Sequence, residues 1–283
     1  MRKWFLIGLG IFLTCFILAT IMWFGFEKQD NKANVVEKTY KDSKISQFNV
    51  DASTSEVKLH PGSKFKVYYK GKKAANVKKQ DQTVKIEEDK EANDDYGLNF
   101  NPFRNSQNMI DITVPKQQID VAKIKASGGR MDIEDIDIKK VVLSNEKEPG
   151  QWVTVKDSVI DQLRFNAKST ALSIDKSKIK DANIKSEQAP LDIADTVLQK
   201  AILINREEDI NLERISGIKS IKGSTHQSSI NVSFKNKPEN MILKLNPVEG
   251  KSYVENEHFV NDKVGNGENE LELYTEQGDI VIE

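Results

Sequence analysis

An apolar–polar–apolar triplet recurs through the second half of this chain at a nearly constant stride. MDI at 131–133 is followed by VTV at 153–155, LSI at 172–174, LDI at 191–193, INL at 210–212 and INV at 230–232, at intervals of 22, 19, 19, 19 and 20 residues. A companion series keeps step with it: VVL at 141–143, LRF at 163–165, ANI at 182–184, AIL at 201–203 and IKG at 221–223. Two ladders held in phase indicate internal repetition with a period near 20 residues. A leucine-rich repeat has a similar period, but its L-x-x-L-x-L-x-x-N frame is missing. An antiparallel sandwich would show regular turn signals without any reason to hold a constant phase. The pattern therefore predicts an all-β fold: a single-stranded β-solenoid, right- or left-handed, with stacked coils of about 20 residues.

Period-two alternation sends the flanking residues of each triplet inward and the middle residue to water. The predicted core ladder is Met131, Ile133, Val153, Val155, Leu172, Ile174, Leu191, Ile193, Ile210, Leu212, Ile230 and Val232. The outward column is Asp132, Thr154, Ser173, Asp192, Asn211 and Asn231. Leu172, Leu191 and Ile210 should lie in one column, and Phe165, Ile184 and Leu203 in another. Gly223 interrupts the second column, as expected of a terminal coil changing shape. MIDI at 109–112 reads as a forerunner of the first triplet.

The N-terminal end is of a different kind. Arg2 and Lys3 precede an uncharged run from Trp4 to Phe26, with Trp4 and Trp23 near its two ends. As a helix these residues span about 34 Å, enough to cross a hydrocarbon core of about 30 Å. Positive charge before the run puts the N-terminus in the cytoplasm and the remainder outside. A cleaved signal peptide would want a shorter apolar core and small residues at A-x-A spacing. A lipoprotein would want a small residue before its cysteine, where Thr14 stands. We read residues 1–26 as a cytoplasmic start and transmembrane signal anchor, with Cys15 a buried filler. Residues 27–44 form a polar tether, 45–118 an N-terminal β region with a cap or loop, and 119–283 the solenoid repeats.

Charge and cysteine content exclude several function classes. Lys+Arg and Asp+Glu number 42 and 43, so no global field favours nucleic acid. One cysteine permits no internal disulfide, and His60, His226 and His258 have no metal-ligand spacing. No cofactor is expected. The lack of paired cysteines in an external domain favours a bacterial envelope.

Three features could carry function. The segment 64–85 is lysine-rich, and Lys64, Lys66, Lys70, Lys72, Lys73, Lys78 and Lys79 form a candidate surface for phospholipid headgroups or anionic wall polymers. The competing reading is that they keep a sheet edge soluble. Tyr96, Phe100 and Phe103 lie in a polar stretch read as a cap over the open end of the solenoid, or as a partner-contacting tip. Asp132, Glu134, Asp135 and Asp137 look like an acidic cluster. Yet the column through Asp132 becomes Thr, Ser, Asp, Asn and Asn in later coils, which argues against a catalytic row.

S-G-G at 127–129 ahead of the first triplet, the 20-residue ladders, and the closing T-E-Q-G-D-I-V-I-E at 275–283 resemble a bacterial adhesin-like family of unknown function. It is called Toastrack after its stacked strands. With one N-terminal anchor, the whole chain is similar to LiaG-like proteins of Firmicutes. The resemblance spans roughly Ile45 to Glu283. It departs in having few S-G-D turns: only Ser127-Gly128-Gly129 and Gln277-Gly278-Asp279 come close. It implies an extracytoplasmic β-solenoid, encoded near regulators of antibiotic and envelope stress, with no catalytic residues. The leading expectation is a non-catalytic membrane-anchored module that meets an envelope protein, a lipid headgroup or a wall polymer in that stress response. A surface adhesin for host or cell ligands comes second, and a polysaccharide-active β-helix enzyme third.

Overall fold

The computed structural model describes residues 2–22, 24–25, 33–40, 44–90, 108–116, 119–145 and 150–283. Helix α1 (Arg2–Met22) comes first. Its apolar stretch from Lys3 to Met22 is long enough to cross a membrane, as a signal anchor or a secretion signal would be. Thr14 and Thr20 donate their hydroxyls to the carbonyls of Gly10 and Phe16, so the two polar side chains are satisfied within the helix. Among the described residues none buries α1, and Cys15, expected to be buried, is exposed on its surface. Trp23 and Phe26 lie outside the described residues.

The described residues after α1 are mostly β. The first group is β1 (Asn34–Tyr40), β2 (Gln47–Ala52), β3 (Glu56–Gly62), β4 (Phe65–Gly71), β5 (Ala75–Gln80), β6 (Thr83–Glu88) and β7 (Met109–Pro115). The regular coils follow: β8 (Val121–Ala126), β9 (Met131–Glu134), β10 (Asp137–Asn145), β11 (Gln151–Lys156), β12 (Val159–Ala167) and β13 (Thr170–Asp175). They continue as β14 (Lys178–Lys185), β15 (Leu191–Ala194), β16 (Val197–Ile204), β17 (Ile210–Ile215), β18 (Ser220–Thr225) and β19 (Ile230–Phe234). The last group is β20 (Met241–Pro247), β21 (Ser252–Val254), β22 (Lys263–Val264), β23 (Asn269–Thr275) and β24 (Ile280–Ile282).

These strands form two 12-stranded sheets. Sheet A runs β1-β4-β7-β3-β9-β11-β13-β15-β17-β19-β24-β21, and sheet B runs β22-β20-β23-β18-β16-β14-β12-β10-β8-β2-β6-β5. Through the regular region the chain alternates between them, leaving one strand in each per coil. Pairing there is parallel, as in a β-solenoid. Leu172 pairs with Leu191 and Leu191 with Ile210, while Phe165 pairs with Ile184 and Ile184 with Leu203. All six are buried in one continuous core. Each such side chain contributes roughly 1.5–3 kcal/mol before ordering costs.

A repeated corner turns the chain from sheet A to sheet B. Asp135, Asp157, Lys176, Asp195 and Arg214 occupy it in successive coils, each with φ between 47° and 50°. Their backbones still stack: the N–H of Asp157 donates to Asp175 O, and that of Lys176 to Ala194 O. Immediately inside, Ser158, Ser177 and Thr196 are buried and form a hydroxyl column. The N–H groups of Ile136, Ser158 and Ser177 donate along it to Ser158 Oγ, Ser177 Oγ and Thr196 Oγ1. Each hydroxyl in turn donates to a carbonyl two residues back.

The two ends depart from simple winding. β2 and β3 are laid first, β6 and β7 are added on one side of them, and β8 and β9 then start the regular stack on the other. MIDI is therefore not the rung beneath Met131. Val57 of β3 lies between, pairing with Ile110 on one side and Met131 on the other. At the far end β23 and β24 insert between the regular coils and β20/β21. Gly223 consequently does not mark a terminal coil: it pairs with Leu203 and Leu273, and a Cβ there would meet Leu273 Cδ2 at 2.9 Å.

Part of the segment expected to be a tether is structured. β1 pairs antiparallel with β4, and Val36 and Tyr40 pack on the core. The ring of Tyr40 meets Phe65 edge-on at 6.0 Å, and Phe65 meets Phe48 at 5.8 Å. Between Val36 and Tyr40 on the same face, Lys38 donates from Nζ to Val77 O of β5 at 2.5 Å. An exposed lysine between two partly buried residues conceals the strand's alternation.

Candidate functional site

The seven candidate lysines gather at one end of the stack but do not form one patch. Lys66 and Lys70 are on β4, second from the edge of sheet A, and Lys78 and Lys79 are on β5, the edge of sheet B. Lys64 lies in the β3–β4 turn, and Lys72 and Lys73 follow β4. Strand alternation puts Lys66 and Lys70 on the outer face of sheet A and Lys78 on that of sheet B. The result is a basic girdle. Lys66 Nζ lies 2.9 Å from Glu37 Oε1, and this bond holds its ammonium above the usual lysine range. Lys73 reaches Ser53 Oγ at 3.5 Å, and the Lys72 N–H donates to Asn108 Oδ1.

A buried carboxylate supports this end. Glu88, 2% exposed, closes β6 and accepts through Oε2 from the N–H groups of Ser53, Thr54 and Ser55 at 2.8, 2.9 and 3.1 Å. Thr54 Oγ1 donates to its Oε1 at 2.8 Å. Burial alone would raise its pKa; these four bonds outweigh that and hold it below the ordinary glutamate value. Beside it, burial pushes the Tyr69 phenol well above its usual range, and its hydroxyl donates to Lys73 O at 2.6 Å.

The four acidic residues are separated by the corner. Asp132 and Glu134 face outward from sheet A, Asp135 is the left-handed corner residue, and Asp137 opens β10 of sheet B. Asp132 accepts from Arg130 Nε at 2.7 Å and Asp135 from Lys116 at 2.9 Å. Among the described residues no group of three His, Cys, Asp or Glu side chains is placed to hold a metal ion. Further along the outward column, Asn231 donates to Asn211 Oδ1 and Asn211 to Asp192 Oδ1, at 2.9 and 2.8 Å. His60 Nε2 lies 2.8 Å from Asp111 Oδ1 on the same face. Tyr96, Phe100 and Phe103 lie outside the described residues.

One residue on this face escaped the sequence reading. Trp152 precedes the inward Val153, so it points outward, and it is 51% exposed. Its parity within the VTV repeat was the available signal.

Two parallel sheets stacked by a coiling chain, behind an apolar helix, define a β-solenoid-like protein with no catalytic constellation indicated. Residues 45–283 match the family model described as Toastrack DUF4097, and the chain belongs to that family. Among solved structures it is similar to a protein described as a candidate adhesin of Bacteroides fragilis, with 13% identity and a TM-score of 0.55 over 88% of this chain and 97% of that one. Similar proteins of Parabacteroides distasonis and Parabacteroides merdae show 8% and 10% identity, each over 89% of this chain and over 98% and 97% of theirs, with TM-scores of 0.49 and 0.46. No curated protein matched the sequence.

Proposed function

We propose that this protein is a non-catalytic module of the bacterial envelope. α1 serves as an uncleaved anchor, with the N-terminus cytoplasmic and the strands outside. On this reading the protein is LiaG-like and contributes to the response to antibiotics that act on the envelope. Its basic end engages anionic lipid headgroups. The observation that carries the proposal is the placement of β1. This strand follows α1 in the chain and pairs directly with lysine-rich β4, with Lys66 opposite Thr39 and Lys70 opposite Val35. The girdle therefore belongs to the end of the stack that is linked to the anchor. Each surface lysine near an anionic leaflet adds about 1 kcal/mol.

The buried core includes no residue of α1, so residues 33–283 can be tested alone. They should associate with phosphatidylglycerol vesicles, lose that association as salt rises, and ignore phosphatidylcholine vesicles. Replacing Lys70, Lys78 and Lys79 with Gln should weaken binding. Salt-independent association, or none, refutes the lipid reading. The alternative, a surface adhesin for host or cell ligands, draws its support from the fold shared with the Bacteroides protein.

A further inference from the structure

The outer face of sheet A carries a second surface, remote in sequence from the lysine-rich segment. Trp152 is its most conspicuous member. Its register partner in the next rung is Ala171, too short to screen an indole. In the preceding rung the equivalent position belongs to Arg130, one residue before Met131, which pairs with Val153. Arg130 uses Nε on Asp132 Oδ1, leaving its terminal nitrogens directed to no other described side chain. Thr154 lies two residues beyond Trp152 on the same face. Arg130, Asp132 and Thr154 border an open depression of about 460 Å³ that also includes Lys58, Glu134 and Lys156; Trp152 stands outside its lining, on the side of Arg130 and Thr154.

We infer that this surface is a glycan-binding subsite, in which a pyranose ring stacks on Trp152 and its hydroxyls are bound by Arg130, Asp132 and Thr154. An indole left half uncovered presents a large apolar face that gains from being covered. What covers it must also suit its surroundings. The cores of protein–protein interfaces are depleted of acidic residues, whereas Trp152 has Asp132, held by Arg130, one rung away. A sugar ring offers both requirements at once: an apolar C–H face for the indole and an edge of hydroxyls for the charged pair. Arg130 supplies fixed donors and Asp132 acceptors, and Thr154 can do either. The parallel sheet continues beyond the depression through Ser173, Asp192, Asn211 and Asn231, so a chain of sugars would have further polar partners along one column. The inference does not rest on the lipid reading, since it uses none of the girdle lysines.

The test uses the full chain in detergent micelles with Trp4→Phe and Trp23→Phe, which leaves Trp152 as the remaining one of three tryptophans. The probes are chitotetraose and hyaluronan tetrasaccharide, which share N-acetylglucosamine and differ in carboxylates. Saturable change of the Trp152 emission by either is the expected result. Calorimetry should then show binding weakened about tenfold or more by Trp152→Ala and by Arg130→Ala, partly retained by Trp152→Phe, and unaltered by Lys70→Gln with Lys78→Gln. Circular dichroism of each variant should match the parent, because these side chains point away from the core. No emission change with either sugar at millimolar concentration overturns the inference. So does undiminished affinity in Trp152→Ala, or capture of Trp152 by an envelope protein that both sugars fail to displace.

Discussion

The backbone N–H of Ser158 donates to the hydroxyl of Ser177, 3.2 Å away in space and nineteen residues on in sequence. Ser177 repeats the arrangement with Thr196. These buried hydroxyls replace backbone acceptors at the corner, where the left-handed residue breaks the regular ladder. Ser177→Ala removes the acceptor of a buried N–H while adding no strain, and should lower stability by about 1–3 kcal/mol. Ser173→Ala, four residues away on the outward face, should stay within about 0.5 kcal/mol of the parent. Urea unfolding of both variants checks the contrast.

Leu191 and Asp192 are chain neighbours with opposite environments. Leu191 is fully buried between Leu172 and Ile210, whereas Asp192 is half-buried and accepts from Asn211. Leu191→Asp places an unpaired carboxylate in the core and should abolish cooperative folding. Asp192→Leu loses one partly solvated hydrogen bond and should cost no more than about 1 kcal/mol. Thermal melts followed by circular dichroism distinguish them, and equal tolerance at the two sites would contradict the alternation.

The middle of the stack was legible because two constraints coincide in its sequence. Alternation marks the inward residues, and constant stride marks which of them stack, so the column Leu172–Leu191–Ile210 can be read directly. The ends obey a different rule. The order β7-β3-β9 depends on which edge a returning strand joins, and the alternation in EVKL or MIDI is the same for either edge. β1 was obscured by Lys38, whose place between Val36 and Tyr40 makes sense only once Val77 O is seen beside it. The Ser158–Ser177–Thr196 column is polar and internal, the reverse of what hydropathy reports. The S-G-G and Q-G-D motifs have their physical reason in stacking: a Cβ on Gly129 would fall 2.1 Å from Ser55 O, and one on Gly278 2.2 Å from Ser228 O. Of the basic segment, its charge was visible but its division between two sheets was not.

Glu88 makes stability depend on pH. Its folded-state pKa is depressed, so its contribution is complete above the ordinary glutamate value of about 4.3 and declines as pH falls through the lower folded value. Glu88→Gln can keep an oxygen on the three backbone N–H groups but sets an amide nitrogen where Thr54 Oγ1 donates. It also removes the charge those donors stabilise, and should cost about 1–3 kcal/mol at neutral pH. Because the variant has nothing to titrate at position 88, its stability should change less than the parent's between pH 5 and pH 3, in roughly the range where carboxylates protonate. Parallel melts across that interval test the sign. A parent that gains stability on acidification would show that the carboxylate opposes folding.

Lys176 is the most improvable corner residue. Its φ of 47° lies in the left-handed region, which disfavours residues with an ordinary Cβ by about 1–2 kcal/mol. Asp135, Asp157 and Asp195 meet the same demand with a side chain better suited to it. Lys176 has a weak compensating contact, 3.8 Å from Asp175 with both side chains partly exposed. Lys176→Asn should therefore stabilise the protein by about 0.5–1 kcal/mol, the difference between the two residues' tolerance of this conformation. Lys176→Val should destabilise it, since β-branching makes positive φ a true outlier. Chemical unfolding of the two variants beside the parent gives the order Asn above Lys above Val. If Val equalled Lys, the corner could relax out of the left-handed region, and the stacked N–H of Lys176 on Ala194 O would not be what holds it there.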